Sequence, residues 1–445
     1  MRGSVESEDG TGGGRPRRDG VRRHALWACL ALGVVLLAVV VITTPWGSLP
    51  GPIPPPDPER DFTAAEIARE RAFSAALRLP SYAGLLVGLA AALVAGLTPL
   101  GARLARAGAR LLPWWPVRTV VAAALVTLLT TVVALPFDAW RETILRAYGL
   151  STRDWGMWAA DQARSYAIGA GLAAIVVLAV VALARRLPRR WWIPATAGGF
   201  LLVVLGSFVY PLLVEPVFNT FTPMREGPLR TRLLALAARD GVPVRDVLVA
   251  DASRRTTALN AYVSGFGSTR RIVVYDTLLE RGTPEEVRLV VAHELGHAER
   301  GDVLYGTLVG GLAVAAATGA FYLVVTSPRL LRRAGATGPG DPRSVGLLLA
   351  TVTVFSTLGG PAQNLISRHI EARADVHALD LTRDPATFAR MQRSLSLSNI
   401  ADLTPNPVEY ALYASHPTGP QRIAMAIGWA RLHDVPEPPP LARRR

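Results

Sequence analysis

The chain has 445 residues, 50% of them hydrophobic and 18% charged, an apolar content high for a purely soluble protein and a length that allows two or three domains. Its formal net charge of +14 is carried by arginine without any lysine. Those arginines bracket apolar runs, as in "RRLPRR" and "RLLRR", instead of clustering on one folded module, which argues against a nucleic-acid partner.

Residues 1–24 are polar and Gly-rich around "SEDGTGGGRPRRDG" and read as a disordered basic tail. Seven uncharged runs follow, at 25–56, 79–102, 119–137, 165–184, 191–214, 303–328 and 344–367. Each holds about 18 apolar residues or more, enough to cross roughly 30 Å of hydrocarbon as a helix. One such run alone is readily a buried core helix; seven in one chain describe a multi-pass integral membrane protein. The first is too long for a signal-peptide core, and "TPWGSLPGPIPPP" offers no small-x-small cleavage site, so it reads as a retained span. The single cysteine, Cys29, lies inside it and excludes an intramolecular disulfide.

Between the first two runs, Thr63 and Glu66 predict a capping box opening an amphipathic helix. Between the third and fourth, Trp140, Trp155 and Trp158 alternate with charges, as in a helix lying at the membrane interface. The short connections carry eighteen arginines on the side of the N-terminus and eight on the other. The positive-inside rule therefore predicts a cytoplasmic N-terminus and, after seven spans, hydrophilic blocks across the membrane. Residues 25–214 thus form an N-terminal membrane domain with five spans, and 215–445 a second domain that includes the last two.

In the second domain, Pro228 opens a helical pattern closed by Gly241. Strand-like runs follow in "DVLVAD", "TTALNAYVSG" and "RRIVVYDTLL". "NAYVSG" suits an edge strand, although an ordinary central strand fits its composition too. Then comes "TPEEVRLVVAHELGHAER", where Thr283, Pro284 and Glu286 form the start signal of a helix. On that helix His293 and His297, four apart, share a face and can direct two imidazoles at one ion, with Glu294 beside them able to reach a metal-bound water. Spacing alone is weak evidence: such a pair arises by chance in roughly one comparable chain in nine. The intervening glutamate, the small Gly296 and the helical context strengthen it.

A catalytic zinc commonly has three protein ligands and one open position. The other crowd of metal-capable residues is "NLISRHIEARADVHALD". There Glu371 and Asp375 are four apart, with His369 pointing elsewhere. Glu371 is the expected third ligand and Asp375 the acceptor for the outer N–H of a ligating histidine. A solvated charge pattern with Arg368 and Arg373 is the plain alternative. Asp302, just past the metal helix, is expected to cap or brace it without a catalytic role.

With "HELGH" before one membrane span and "SRHIEARAD" after the next, the chain resembles the integral-membrane zinc metalloproteases, which include type-1 CAAX prenyl proteases and HtpX-like proteases. "EPVFNTFTPMREGPLR", "NAYVSGFGSTRRIVVYDTLL", "SHPTGPQRI" and "GLSTRDWGMWAADQ" are similar to the CAAX prenyl protease branch, and the likeness runs from about Asp61 onward. It implies a mainly α fold, a seven-span helical bundle with a gluzincin-type protease domain containing a small β-sheet. It also implies one zinc ion on His293, His297 and Glu371, and Glu294 as general base. His416 becomes the donor to the oxyanion, and Arg422 orients it or binds a substrate carboxylate. Asn260 and Ala261 would hold substrate extended along their strand. The expected partners are a polypeptide, with or without a lipid, and the bilayer, there being no nucleic acid. The arginine-rich, lysine-free composition suggests a high-GC genome and hence a bacterial cell membrane. An HtpX-like quality-control protease and a non-catalytic membrane scaffold with a zinc site are the alternatives. Transport is disfavoured because the seven runs contain no ionisable residue.

Overall fold

The computed structural model describes residues 15–47, 49, 51–109, 113–265 and 267–442. Residues 1–14 of the expected tail lie outside the described residues. Among the described residues, seven helices are long and apolar enough to cross a membrane. They contain α1 (Arg15–Thr43), α2 (Ala64–Leu97), α3 (Trp115–Ala147), α4 (Trp155–Arg186) and α5 (Trp192–Val209). The small second-domain elements come next: β1 (Phe221–Pro223), α6 (Pro228–Arg239), β2 (Asp246–Ala250), β3 (Ala261–Ser264), β4 (Arg271–Tyr275) and α7 (Pro284–Arg300). After them come α8 (Asp302–Val325), α9 (Val345–Thr382), α10 (Pro385–Ser398), α11 (Pro407–Tyr413) and α12 (Gly419–Leu432).

Three local expectations change. Residues 15–24, read as tail, are helical; Arg22 there donates to Thr326 Oγ1 at 2.7 Å and to the Leu323 carbonyl at 3.2 Å, satisfying groups left open at the end of α8. The capping box at Thr63 and Glu66 forms, but it opens the whole of α2. Residues 64–79 are strong helix formers, so the helix runs unbroken into the span. The expected interface helix is instead the projecting ends of α3 and α4. Gly149, at φ +76°, lies in the turn between them, and the charges are spent on ion pairs. Glu142 accepts from Arg146 at 3.0 Å and also binds Arg153, while Asp161 binds Arg255 of the second domain at 3.0 Å.

The four strands form one sheet in the order β1-β2-β4-β3. β2 and β4 run parallel, and β1 and β3 flank them antiparallel. The strand β1, only three residues long, was not expected from sequence. In the second domain, the buried side chains of Val247, Ile272, Leu289, Val291, Leu295, Leu379, Phe388 and Trp429 form one core. It joins the sheet to α7, the end of α9, α10 and α12, each fully buried aliphatic contributing about 1.5–3 kcal/mol.

Candidate active site

Thr283 accepts from the Glu286 N–H at 3.3 Å while Glu286 accepts from the Thr283 N–H at 2.9 Å, which fixes where α7 begins. Val291 and Leu295 turn into the core, so the 3.6-residue period turns His293 and His297 to the other side, toward α9. Gly296 makes that crossing possible. A Cβ there would stand 3.0 Å from His377 of α9, whose ring is held by Asp240 at 3.0 Å. The close approach brings Glu371 and Asp375, one turn apart on α9, over the histidines.

His293 Nε2 lies 3.2 Å from His297 Nε2 and 3.2 Å from Glu371 Oε2, and His297 Nε2 lies 3.6 Å from Glu371 Oε1. Bonds of roughly 2.0–2.1 Å in a tetrahedral sphere require ligand separations of about 3.3 Å. The outer nitrogens are committed elsewhere. His293 Nδ1 is 2.9 Å from Asp375 Oδ1, and His297 Nδ1 is 2.9 Å from Asp302 Oδ2. With each Nδ1–H donated to a carboxylate, both Nε2 atoms present lone pairs to a third acceptor. Three acceptors converging in a buried centre call for a cation, so the donor set fits a metal ion. Burial opposes charge on His293, but its hydrogen bonds to Asp375 and Glu371 outweigh that and push the imidazole up to about 10. The centre therefore attracts positive charge. Glu294, beside the two histidines, has its carboxyl pushed up by burial.

The centre opens on a cleft of ≈ 970 Å³ lined by Glu294, Asn260, Ala261, Tyr410, His416 and Arg422 among others. His416 Nε2 is 3.3 Å from Glu371 Oε1, with its side chain 56% exposed at the mouth. Arg368 of α9 holds the segment carrying it, donating to the Tyr410 carbonyl at 3.0 Å and to the Ala414 carbonyl. Asn364 adds a bond to the Leu412 carbonyl at 2.7 Å. Opposite, β3 is an edge strand. The Asn260 carbonyl accepts from the Tyr275 N–H at 3.0 Å, so by antiparallel alternation the Ala261 N–H and carbonyl point away from β4. The Asn260 side chain holds that N–H at 2.9 Å.

All nine singled-out residues thus line or adjoin one cleft. Arg422 lines the cleft and grips Asp375, with Nε to Oδ2 at 2.7 Å. Asp302 does more than brace a helix, since it receives the His297 N–H and is itself gripped by Arg373. Sequence reading missed Arg373 and Arg368 because both read as solvated charge. His369 stacks edge-on with Trp46 at 4.9 Å, away from the centre.

A family model described as "Peptidase family M48" matches residues 223–430, and one described as "CAAX prenyl protease N-terminal, five membrane helices" matches residues 60–220. The chain is 31% identical over 323 residues to the uncharacterized metalloprotease YhfN of Bacillus subtilis, covering 71% of this chain and 74% of that one. It is 30% identical to the CAAX prenyl protease 1 homolog of Arabidopsis thaliana, over 66% of this chain and 70% of that one. Among solved structures, S. mikatae Ste24p has the same fold, with a TM-score of 0.71 at 20% identity over 93% of this chain and 99% of that one.

Proposed function

The chain belongs to peptidase family M48 and is a membrane metalloprotease, and we propose that it is a zinc endopeptidase in which His293, His297 and Glu371 hold the metal. The observation that carries this reading is the convergence of the two Nε2 atoms and the Glu371 carboxylate, with both outer ring nitrogens already bound to acids. Two imidazole nitrogens and one carboxylate, with one position left open, suit zinc. When bound, zinc supplies Lewis acidity to the scissile carbonyl and acidifies the attacking water.

Glu294 takes the water proton and returns it to the leaving amine; burial, which raises its carboxyl, makes it a stronger base than an exposed glutamate. His416, across the cleft mouth, donates to the oxygen on which negative charge develops. The substrate lies extended along β3, its backbone N–H donating to the outward carbonyl of Ala261, and Asn260, whose side chain accepts the Ala261 N–H, keeps that edge in shape. The N-terminal family model favours a CAAX prenyl protease-like enzyme over the quality-control and scaffold alternatives.

The test uses full-length protein in detergent, wild type beside Glu294→Gln, with zinc content measured in both. Each receives a farnesylated CAAX peptide and the same peptide without its lipid. Glu294→Gln is expected to keep its zinc and lose about 10²–10⁴ in kcat. A variant that cleaves like wild type would remove the general base from the scheme. Cleavage confined to the lipidated peptide makes the prenyl group part of recognition; equal cleavage of both makes the enzyme a general membrane endopeptidase.

A further inference from the structure

At the end of the bundle remote from the metal centre, the N-terminus of α3, the C-terminus of α4 and the loop before α9 enclose a second cavity of ≈ 960 Å³. Four arginines line it, Arg106, Arg118, Arg185 and Arg343, against a single acid, Asp341. That acid is already occupied. It accepts from the Thr337 N–H at 3.1 Å and from Arg343 Nε at 2.8 Å. Among the described residues, Arg106 and Arg118 have no ion-pair partner, and the Arg118 Nε is buried without any hydrogen-bond acceptor. A buried N–H donor without an acceptor is costly, and an anion in the cavity would satisfy it together with the charge of the guanidinium.

Two further features point the same way. The 33-residue α3 begins at the cavity, and its N-cap residue Trp114 makes no side-chain cap bond, so the partial positive charge of a helix start lies beside it. Arg185 is braced, its guanidinium 5.0 Å over the Trp115 ring and its Nη1 donating to the Gly340 carbonyl at 3.3 Å. Gly340 has no side chain because a Cβ would meet Arg185 Cγ at 3.0 Å. The cavity lies where spans α3 and α4 end, with Trp114 66% and Leu187 44% exposed beside it. That is the depth of a headgroup, with apolar surface on the side where acyl chains run.

We propose that this cavity binds the phosphate headgroup of an anionic phospholipid from the surrounding leaflet. Arg118 and Arg106 meet the phosphate oxygens, the first turn of α3 adds backbone donors, and Trp114 packs on the chains.

The experiment uses the full chain in neutral detergent and a double variant, Arg118→Gln with Arg185→Gln. Phosphatidylglycerol, phosphatidylcholine with the same acyl chains, and inorganic phosphate are added separately. Thermal unfolding midpoint and lipid retained in native mass spectrometry are read. Phosphatidylglycerol is expected to raise the wild-type midpoint and to remain bound, the other two to do neither, and the double variant to bind it about tenfold more weakly. If phosphatidylcholine acts equally, or the variant retains the effect, the headgroup site is overturned. If inorganic phosphate alone reproduces the shift, the site takes a soluble anion and the lipid assignment is overturned. Should the double variant fail to elute as folded protein, Arg106→Gln, at an exposed position, must still weaken retention for the proposal to stand.

Discussion

His293 and His297 each give their outer N–H to a carboxylate, and each carboxylate is gripped by an arginine, Asp375 by Arg422 and Asp302 by Arg373. The two relays are alike in chemistry yet unequal in depth. Asp375 is fully buried, while Asp302 sits at the start of α8. Asp375→Asn and Asp302→Asn are each expected to weaken metal affinity about 10–100-fold, with the larger loss at Asp375; competition with a chelator measures both. Equal wild-type affinity in both variants would mean that the acids do not set the imidazole tautomers. His416 belongs to the substrate side. His416→Ala is expected to lower kcat by about 10²–10³ with metal content unchanged, and a loss confined to KM would remove it from transition-state stabilisation. His293 with His297, and Glu371 with Asp375, were legible as pairs because helical spacing puts each pair on one face. Asp302, Arg373 and Arg368 were not, since nothing in a sequence says which distant element a surface arginine will meet.

Elements place these residues through two glycines. Gly301, at φ +66°, ends α7 in the left-handed region and starts α8, so the chain turns back and Asp302 reaches His297. Gly301→Val is expected to strain that turn and to lower both the unfolding midpoint and metal affinity, because a branched residue resists positive φ; a variant matching wild type in both would show that the turn tolerates a side chain. Gly96 of α2 does similar work inside the bundle. A Cβ there would lie 2.5 Å from the Ala350 Cβ and 2.9 Å from the Gly346 carbonyl of α9. Gly96→Leu must push α2 off α9, the helix that carries Glu371, and is expected to reduce folded yield in detergent sharply. Capping signals gave the helix starts in the sequence; that the turn between α3 and α4 meets the second domain depended on contacts with other elements.

At the scale of the molecule, the projecting turn between α3 and α4 is stitched to the strand that leads into β3. Thr152 N–H donates to the Arg255 carbonyl at 3.2 Å, and Thr257 N–H to the Leu150 carbonyl at 3.1 Å. The membrane domain and the segment leading into β3 are therefore joined by backbone hydrogen bonds. Seven spans put the metal centre and the α4–α5 connection on opposite sides of the membrane. With Cys29 replaced by alanine, Arg189→Cys and Glu226→Cys are expected to react with an impermeant thiol reagent from opposite faces of sealed vesicles. Labelling from the same face would mean that the one helix between them, Trp192–Phe218, does not cross the membrane. By itself, the sequence determined the apolar runs, the capped helix that carries His293 and His297 and the face those two share, because hydropathy, capping and a 3.6-residue period are local. Only the tertiary structure decided which acid backs which histidine, that β3 lies at the sheet edge, and that four arginines from separate segments share one cavity. Those facts depend on residues far apart in the chain, and only packing brings them together.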